Sequence, residues 1–251
     1  MQSTDTYKFP FAKLNSAFRR LTFASALAGA TMLTVATAQA EPLLYDAILG
    51  PLNNSGVSGT ANLSLDGDLL TVSISATGLT PNQPHIQHIH GRFDSAGRPI
   101  DSVTPTLADD TDGDGFIEVA EGARSYGPII LNLDSPPGSG QFPTAPGGVV
   151  NFTQVYNLSN SPSFAAGFNR ADLLPLDLRE IVLHGLLLTP ETGLGFGPGE
   201  ADGTPGYKAA LPVASGEIRA VAVPEPASLA LYGAGLLGLG LVRRARRNAR
   251  G

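Results

Sequence analysis

The sequence predicts an all-β protein: an antiparallel β-sandwich or barrel, flanked by an N-terminal signal helix and a C-terminal transmembrane helix. Three observations lead to this prediction. Short segments alternate apolar and polar residues, glycine and proline fill the gaps between them, and an apolar run lies near each end of the 251-residue chain. Strands turn successive side chains to opposite faces, so short alternating segments bounded by turn residues indicate an antiparallel sandwich or barrel.

The alternating segments lie in the body of the chain, residues 41–222, where no stretch has a convincing long helical period. Asp66-Gly67-Asp68 separates the second and third segments and predicts a hairpin. We expect the first segment to be an edge strand and residues 161–174 to hold a short helix. The predicted strands are 42–49, 59–65, 69–79, 128–133, 148–158, 179–188 and 215–221.

The first 40 residues have the pattern of a secretory signal peptide. Three basic residues between positions 13 and 20 precede an apolar stretch, 21–36, and Ala38-Gln39-Ala40 follows as a small-x-small pattern. A basic flank, a short apolar core and a small-residue cleavage site together favour export and cleavage by signal peptidase over a buried helix.

The charge and cysteine content of the body exclude several classes of function. Between Glu41 and Val223 the chain has 20 acidic residues against seven basic ones, a net charge of −13. An acidic body poor in aromatic residues argues against nucleic-acid binding, which needs a basic surface, and suits divalent cations. The chain has no cysteine, which excludes thiolate metal sites, thiol catalysis and lipidation at cysteine.

The C-terminal tail, residues 223–251, combines three features in order. Pro224, Glu225 and Pro226 precede an uncharged run, 227–242, and four arginines follow between positions 243 and 247. A helix over the run would span about 24 Å against about 30 Å of hydrocarbon, so we expect a transmembrane segment helped by snorkelling arginines. The arginines predict a cytoplasmic end. An ordinary single-span anchor is the alternative.

The ordered triple of Pro224-Glu225-Pro226, apolar run and arginines resembles the PEP-CTERM sorting signal of Gram-negative bacteria. The resemblance implies recognition by an exosortase, cleavage near the motif and delivery to the cell surface or an exopolysaccharide matrix. The inner membrane would then be a transient partner, since such a tail is an address that the mature product need not keep.

The segment DTDGDGFIEVAE, residues 110–121, has the spacing of a calcium loop. Calcium takes six to eight oxygen ligands, and alternate residues of a tight loop turn their oxygens inward. The predicted calcium ligands are Asp110, Asp112, Asp114, Phe116 through its carbonyl, Glu118 and Glu121. A solvated acidic turn is the alternative. Because proline and glycine lie close on both sides, we expect an isolated loop between strands without helical flanks.

Three of the four histidines form a second candidate metal site. His88 and His90, in QHIHGRF, share one face if this segment is a strand. His184 lies on another apolar strand and would join them if the two strands are neighbours. Such a trio could hold copper or zinc. The alternative is three hydrogen-bonded structural residues, where the glycines that follow let another backbone come close. His85 would face the other side or lie in the preceding turn.

The body resembles a CHRD domain, a module common in bacterial surface proteins, from about Leu44 to Val221. The segments that carry the resemblance are GTANLSLDGDLLTVSISATGLT, HIQHIHG, REIVLHG and SGEIRA. The resemblance implies the immunoglobulin-like or superoxide-dismutase-like sandwich and no established activity. Two features depart from the family pattern: the long central insertion with the acidic loop, and LHGLLL, where the usual pattern runs on into an asparagine or histidine.

Two hypotheses of function follow. The first is a non-enzymatic, calcium-binding protein of the cell surface or exopolysaccharide matrix, with an adhesion or scaffolding role and polysaccharide or surface proteins as partners. The second is a protein with a mononuclear copper or zinc site of superoxide-dismutase-like type, since HIHG is similar to the copper strand of that family. A dinuclear site needs more histidines than the four present. The chain has neither a Gly-x-Ser-x-Gly nor an HExxH motif, which argues against a hydrolase.

Overall fold

The computed structural model of the protein describes residues 41–222 and 228–249. The predicted signal peptide, 1–40, and Pro224-Glu225-Pro226 lie outside the described residues. Within the described ranges the chain is mostly β, as predicted. The strands are β1 (Leu43–Pro51), β2 (Ser58–Asp66), β3 (Leu69–Thr77), β4 (Gln87–Phe93), β5 (Pro99–Ile100), β6 (Ile129–Asn132), β7 (Val149–Asn157), β8 (Arg179–Leu188), β9 (Gly206–Glu217) and β10 (Arg219–Ala220). The helices are α1 (Val119–Tyr126), α2 (Arg170–Leu173) and α3 (Ser228–Asn248).

All ten strands belong to one antiparallel sheet. Its order is β5-β4-β8-β9-β1-β2-β3-β7, with β6 also beside β4 and β10 beside β1. Leu63 and Ile74 from one half of this order share a single apolar core with Ile89 and Ile181 from the other half. The sheet therefore folds over one core.

The β2–β3 hairpin forms as predicted. Asp66 pairs with Leu69, so Gly67 and Asp68 are the two residues of the turn. Gly67 has a φ of 59°, which a glycine adopts without the steric cost of a side chain. The predicted short helix within 161–174 is also present, as α2.

The prediction that the first strand is an edge strand is wrong. β1 has β2 on one side and β9 and β10 on the other. Its side chains do alternate, with Leu49 buried and Ile48 80% exposed. Such alternation identifies the face of a strand that is buried, and it carries no information about which strands lie beside it.

Helix α1 corrects the expectation that the acidic loop lacks helical flanks. It begins at Val119, inside the segment 110–121, and the Glu121 carboxylate accepts a 3.1 Å hydrogen bond from the N–H of Glu118 at the first turn. Gly122 lies against the ring of Tyr126, where a Cβ would collide. A helix of eight residues held by such contacts has too few turns for a clear periodic pattern.

From Ser228 onward the uncharged run of the tail is helical, within α3. In the two described ranges no helix is both long and apolar enough to cross a membrane. The predicted transmembrane segment, 227–242, starts at a residue outside the described ranges and stays a prediction.

Candidate metal centre

The sheet brings His88, His90 and His184 together. β4 and β8 are antiparallel neighbours, with Ile89 opposite Ile181. These two isoleucines point into the core, so the histidines, one or three positions away, lie on the opposite face of the sheet. Each histidine offers a ring nitrogen that lies within 4.8 Å of those of the other two.

The three rings are packed together and nearly closed off from solvent. The His88 and His184 ring centroids are 5.2 Å apart, and those of His88 and His90 are 5.6 Å apart. The ring centroids of Tyr126, on α1, and His90 are 4.5 Å apart. The ring of Phe142 packs edge-on against that of His88, with 5.7 Å between the centroids. His88 is the most accessible of the three at 7% exposure. The segment between β5 and β6 that carries α1 thus covers part of this face of the sheet.

Backbone carbonyls fix the orientation of two of these rings. Nδ1 of His90 lies 2.9 Å from the carbonyl oxygen of Gly127, and Nδ1 of His184 lies 2.6 Å from that of Ala210. A carbonyl oxygen can only accept, so each Nδ1 carries the hydrogen and each Nε2 carries a lone pair. Metal-binding histidines are oriented in the same way, through a hydrogen bond from the other ring nitrogen.

Three ring nitrogens of the cluster have no hydrogen-bond partner in the described part of the chain. They are Nδ1 of His88, Nε2 of His90 and Nε2 of His184. A buried polar atom left unpaired costs about 1–3 kcal/mol, and such atoms are few in folded proteins. Three unpaired imidazole nitrogens in one place fit a zinc or copper ion, which would satisfy all three.

Burial keeps these imidazoles neutral. It lowers the pKa of His88 to about 2, that of His90 to about 3 and that of His184 to about 4. The nearby His184 ring lowers the pKa of His88 and His90 further. Neutral imidazole is the form that binds a metal, so binding at neutral pH would release no proton from these rings.

His85 differs from the other histidines because each of its ring nitrogens lies within hydrogen-bond distance of a backbone carbonyl. It lies before β4, with Nδ1 2.8 Å from the His184 carbonyl and Nε2 2.9 Å from the Thr80 carbonyl. Gly185 has a φ of 110°, and a Cβ there would collide with His85 and Tyr207. The alternative of structural histidines followed by closely packed glycines stays open for His90 and His184, because each bonds to a backbone carbonyl and precedes a glycine with no room for a Cβ.

The acidic loop brings together three of its six predicted calcium ligands. Carboxylate oxygens of Asp110, Asp112 and Asp114 lie within 4.8 Å of one another. Asp110 accepts hydrogen bonds from the N–H groups of Gly113 and Gly115, at 2.7 and 2.9 Å. These backbone bonds lower the pKa of Asp110. The chain therefore wraps around an ionised carboxylate.

Of the other three predicted calcium ligands, Glu118 and Phe116 contact residues outside the loop, and Glu121 bonds back to the loop itself. Glu118 accepts a 2.8 Å hydrogen bond from the N–H of Ala201, and Glu121 accepts one of 2.6 Å from the N–H of Thr111. The Phe116 ring packs in a small apolar cluster that includes Ala201. In this arrangement the loop is joined to the connection between β8 and β9.

Sequence reasoning did not identify the residues that surround the histidine cluster and the acidic loop. The carbonyls of Gly127 and Ala210 leave no sequence signal, since every residue has a carbonyl. The glycine-rich segment 195–199 packs on the acidic loop, where a Cβ at Gly197 or Gly199 would run into a carboxylate. The only sequence signal for this packing is the density of glycine in the segment.

Glu180 is a further buried group that sequence reasoning left unused. It lies opposite His90 on the neighbouring strand and is fully buried. Thr104 and Ser215 donate hydrogen bonds to its Oε1, while Oε2 has no partner among the described residues. Burial raises the pKa of Glu180 to about 7. A glutamate inside the apolar segment REIVLHG was the available signal.

Comparison with known proteins identifies the tail of the chain. Residues 222–247 match the model of the PEP-CTERM protein-sorting motif, and no CHRD match accompanies it. No curated protein matches the chain. The tail motif implies export, processing by an exosortase and sorting to the cell surface of a Gram-negative bacterium.

Proposed function

We propose that this protein is an exported, non-enzymatic protein of the cell surface or exopolysaccharide matrix that binds one zinc or copper ion at His88, His90 and His184. The observation that carries the proposal is the convergence of three buried ring nitrogens that have no hydrogen-bond partner among the described residues. The sorting motif supports the location. Adhesion or scaffolding is the proposed role, with polysaccharide or other surface proteins as partners.

The enclosure of the three histidines supports a structural role for the ion. Tyr126 and Phe142 pack against the rings, and His90 and His184 are 1% and 2% exposed. An ion that binds only the folded state stabilises it by about 2.7 kcal/mol when its concentration is 100 times the Kd. The ion would join β4 to β8 and satisfy three nitrogens that otherwise destabilise the fold.

The CHRD resemblance and the immunoglobulin-like or superoxide-dismutase-like sandwich belong to the same proposal. The ordered segments of the body support the resemblance. The sharing of one core by the two halves of the sheet supports the sandwich.

Calorimetric titration of metal-free protein with Zn²⁺ and Cu²⁺ tests the site. We expect one ion per chain, and we expect His88→Gln, His90→Gln and His184→Gln each to weaken binding by more than the roughly 10–100-fold that second-shell changes cause. His85→Gln is the matched control because it removes a histidine whose two ring nitrogens both face backbone carbonyls. Unchanged binding by the His88→Gln/His90→Gln/His184→Gln triple variant would place the ion elsewhere and refute the site.

The enzymatic alternative, a copper or zinc protein of superoxide-dismutase-like type, is tested with the same variants. Copper-loaded protein is assayed for superoxide dismutation beside the His88→Gln/His90→Gln/His184→Gln triple variant. We expect the wild type and the triple variant to dismutate superoxide at equal rates. Activity that is present in the wild type and lost in the triple variant would replace the non-enzymatic proposal.

Calcium binding at residues 110–121 is the second proposed activity of the body. The specific observation in its favour is the approach of the carboxylates of Asp110, Asp112 and Asp114. Like charges at such distances repel one another, and a divalent cation removes the repulsion. The proposed effect is to hold the loop, and the start of α1, rigid.

Thermal denaturation with and without Ca²⁺ tests this second proposal. We expect Ca²⁺ to raise the Tm of the wild type and to have little effect on Asp110→Asn/Asp112→Asn. Asp94→Asn is the control, since Asp94 also accepts backbone hydrogen bonds in a tight turn but lies outside the loop. A calcium-dependent rise that persists in the double variant would contradict the assignment.

Cell fractionation tests the proposed final location. We expect the full chain to reach the cell surface or the matrix, and a chain truncated after Ala222 to be exported without being retained there. Equal distributions of the two forms would show that the tail does not determine the final location.

A further inference from the structure

β7 forms an edge of the sheet that lacks the usual protection against pairing. It is the last strand in the sheet order, and all nine of its residues pair with β3 without a register shift. Its sequence, VVNFTQVYN, contains no charged residue, proline or glycine. Natural edge strands are commonly blunted by charge, proline, bulges or short length. None of these devices is present in β7.

The opposite edge of the same sheet is protected. β5 has two residues and β6 has four, and the pairing of β4 with β6 contains a register shift. The chain near Ser163 covers β6: the N–H of Asn132 bonds to the Ser163 carbonyl at 2.9 Å, and that of Ala165 bonds to the Ile130 carbonyl at 3.0 Å. One edge is thus short and covered, and the other is long and regular.

The backbone of β7 has hydrogen-bonding groups that point away from the sheet. Just past the strand, the N–H of Leu158 bonds to the Asp68 carbonyl at 2.7 Å, in register with the β3–β7 pairing. Bonding alternates along an antiparallel ladder, so Thr153 and Val155 turn their backbone groups outward. The Val155 carbonyl accepts a 3.0 Å bond from the Gln154 side chain. The outward groups of Thr153 make no hydrogen bond with the described residues.

The charge distribution favours another copy of this chain as the occupant. The body has a net charge of −13, so two copies repel each other over most of their surfaces. In β2, β3 and β7, all fully described, the only charged side chain is Asp66, at the hairpin turn. The exposed residues on and beside the edge are uncharged, both polar, such as Ser75 and Thr153, and apolar, such as Val155. Two copies meet there with least repulsion.

We propose that two copies of this protein pair antiparallel through β7, about a two-fold axis at Thr153. In this register Thr153 faces Thr153 of the second copy, and Asn151 faces its Val155. The interface uses the same strand in both copies, so it is self-complementary and closes as a dimer. The backbone groups of Thr153 gain partners, and the two sheets become continuous. The proposal depends on neither the metal site nor the sorting motif.

Sedimentation of paired charge variants tests the dimer. Thr153→Glu and Thr153→Lys each place like charges directly opposite each other across the axis, which destabilises an antiparallel pair. We expect the wild type to dimerise, each variant alone to dimerise at least about tenfold more weakly, and an equimolar mixture of the two to recover the wild-type affinity. Thr60→Glu and Thr60→Lys are the controls, on the same face but two strands from the edge.

The outcomes are distinguishable because every variant retains the tail and the histidines. Thermal denaturation of each variant excludes unfolding as the cause of a change. Association driven by the tail or by metal would persist in both Thr153 variants and overturn the proposal. A monomeric wild type at about 100 μM would also overturn it. Monomeric variants that fail to associate when mixed would refute the antiparallel register.

Discussion

The Nδ1 atom of His90 donates a 2.9 Å hydrogen bond to the carbonyl of Gly127, the residue that follows α1. This bond leaves Nε2 of His90 with a lone pair and no partner among the described residues. The helix begins in the acidic loop and ends at a carbonyl that sets the tautomer of a histidine on β4. A backbone atom at the end of α1 therefore determines which nitrogen of His90 can bind a metal.

Gly127→Ala tests the contribution of this helix end. Gly127 has a φ of 83°, and a Cβ there would collide with the Gly91 carbonyl. We expect a loss of more than about 1 kcal/mol of unfolding free energy, measured with urea, and weaker zinc binding because His90 is displaced. Gly97→Ala is the control, with a φ of 75° and nothing within 4 Å of its Cβ. Equal zinc affinities for the two variants would show that Gly127 does not orient His90.

The buried histidines predict a loss of stability in acid. Their folded pKa values, about 2 to 4, lie below the ordinary 6.5. As the pH falls below about 6.5, the unfolded chain takes up protons that the folded protein cannot bind. Stability is therefore full above about pH 7 and falls toward pH 4, by up to about 1.4 kcal/mol per pH unit for each histidine.

The change of stability with pH is measured from the midpoints of urea unfolding between pH 8 and pH 4 in metal-free buffer. His184→Gln removes one titrating group, and we expect a shallower decline for this variant than for the wild type. A slope that is the same in both proteins would show that His184 does not contribute to the acid sensitivity.

The raised pKa of Glu180 predicts the opposite dependence of stability on pH. Its folded pKa of about 7 exceeds the ordinary 4.5, so the folded protein binds the proton more tightly than the unfolded chain does. The stabilisation is complete below about pH 4.5 and is lost as the pH rises to about 7, a change of about 3 kcal/mol. We expect Glu180→Gln, which cannot ionise and can still accept from Thr104 and Ser215, to gain stability relative to the wild type from pH 5 to pH 8. A difference that does not vary with pH would contradict the raised pKa.

The features that the sequence predicted are those that local pattern determines. The β2–β3 hairpin follows from alternation on both sides of Asp66-Gly67-Asp68, and the bounds of β8 match its apolar segment. The position of β1 could not be predicted in this way, because its partners β9 and β10 come from the far end of the body. Helix α1 was missed because Gly122 lies at its middle and tertiary contacts with Tyr126 hold it.

The candidate metal centre shows the same limit. The spacing of His88 and His90 indicates a shared face, since both lie on one strand. Nothing in the spacing indicates that His184, 94 positions after His90, lies beside them, because strand order depends on the whole sheet. The tautomers depend on the carbonyls of Gly127 and Ala210, which have no residue-specific signature.

The most direct test of the central claim is nitrogen NMR of the histidine rings during a zinc titration of the metal-free protein. Before zinc is added, we expect neutral rings with the hydrogen on Nδ1 of His90 and His184. At one equivalent, zinc should shift Nδ1 of His88 and Nε2 of His90 and His184, and should leave both nitrogens of His85 close to their starting positions. Shifts at His85 alone, or no shift at the three predicted nitrogens, would contradict the three-histidine site.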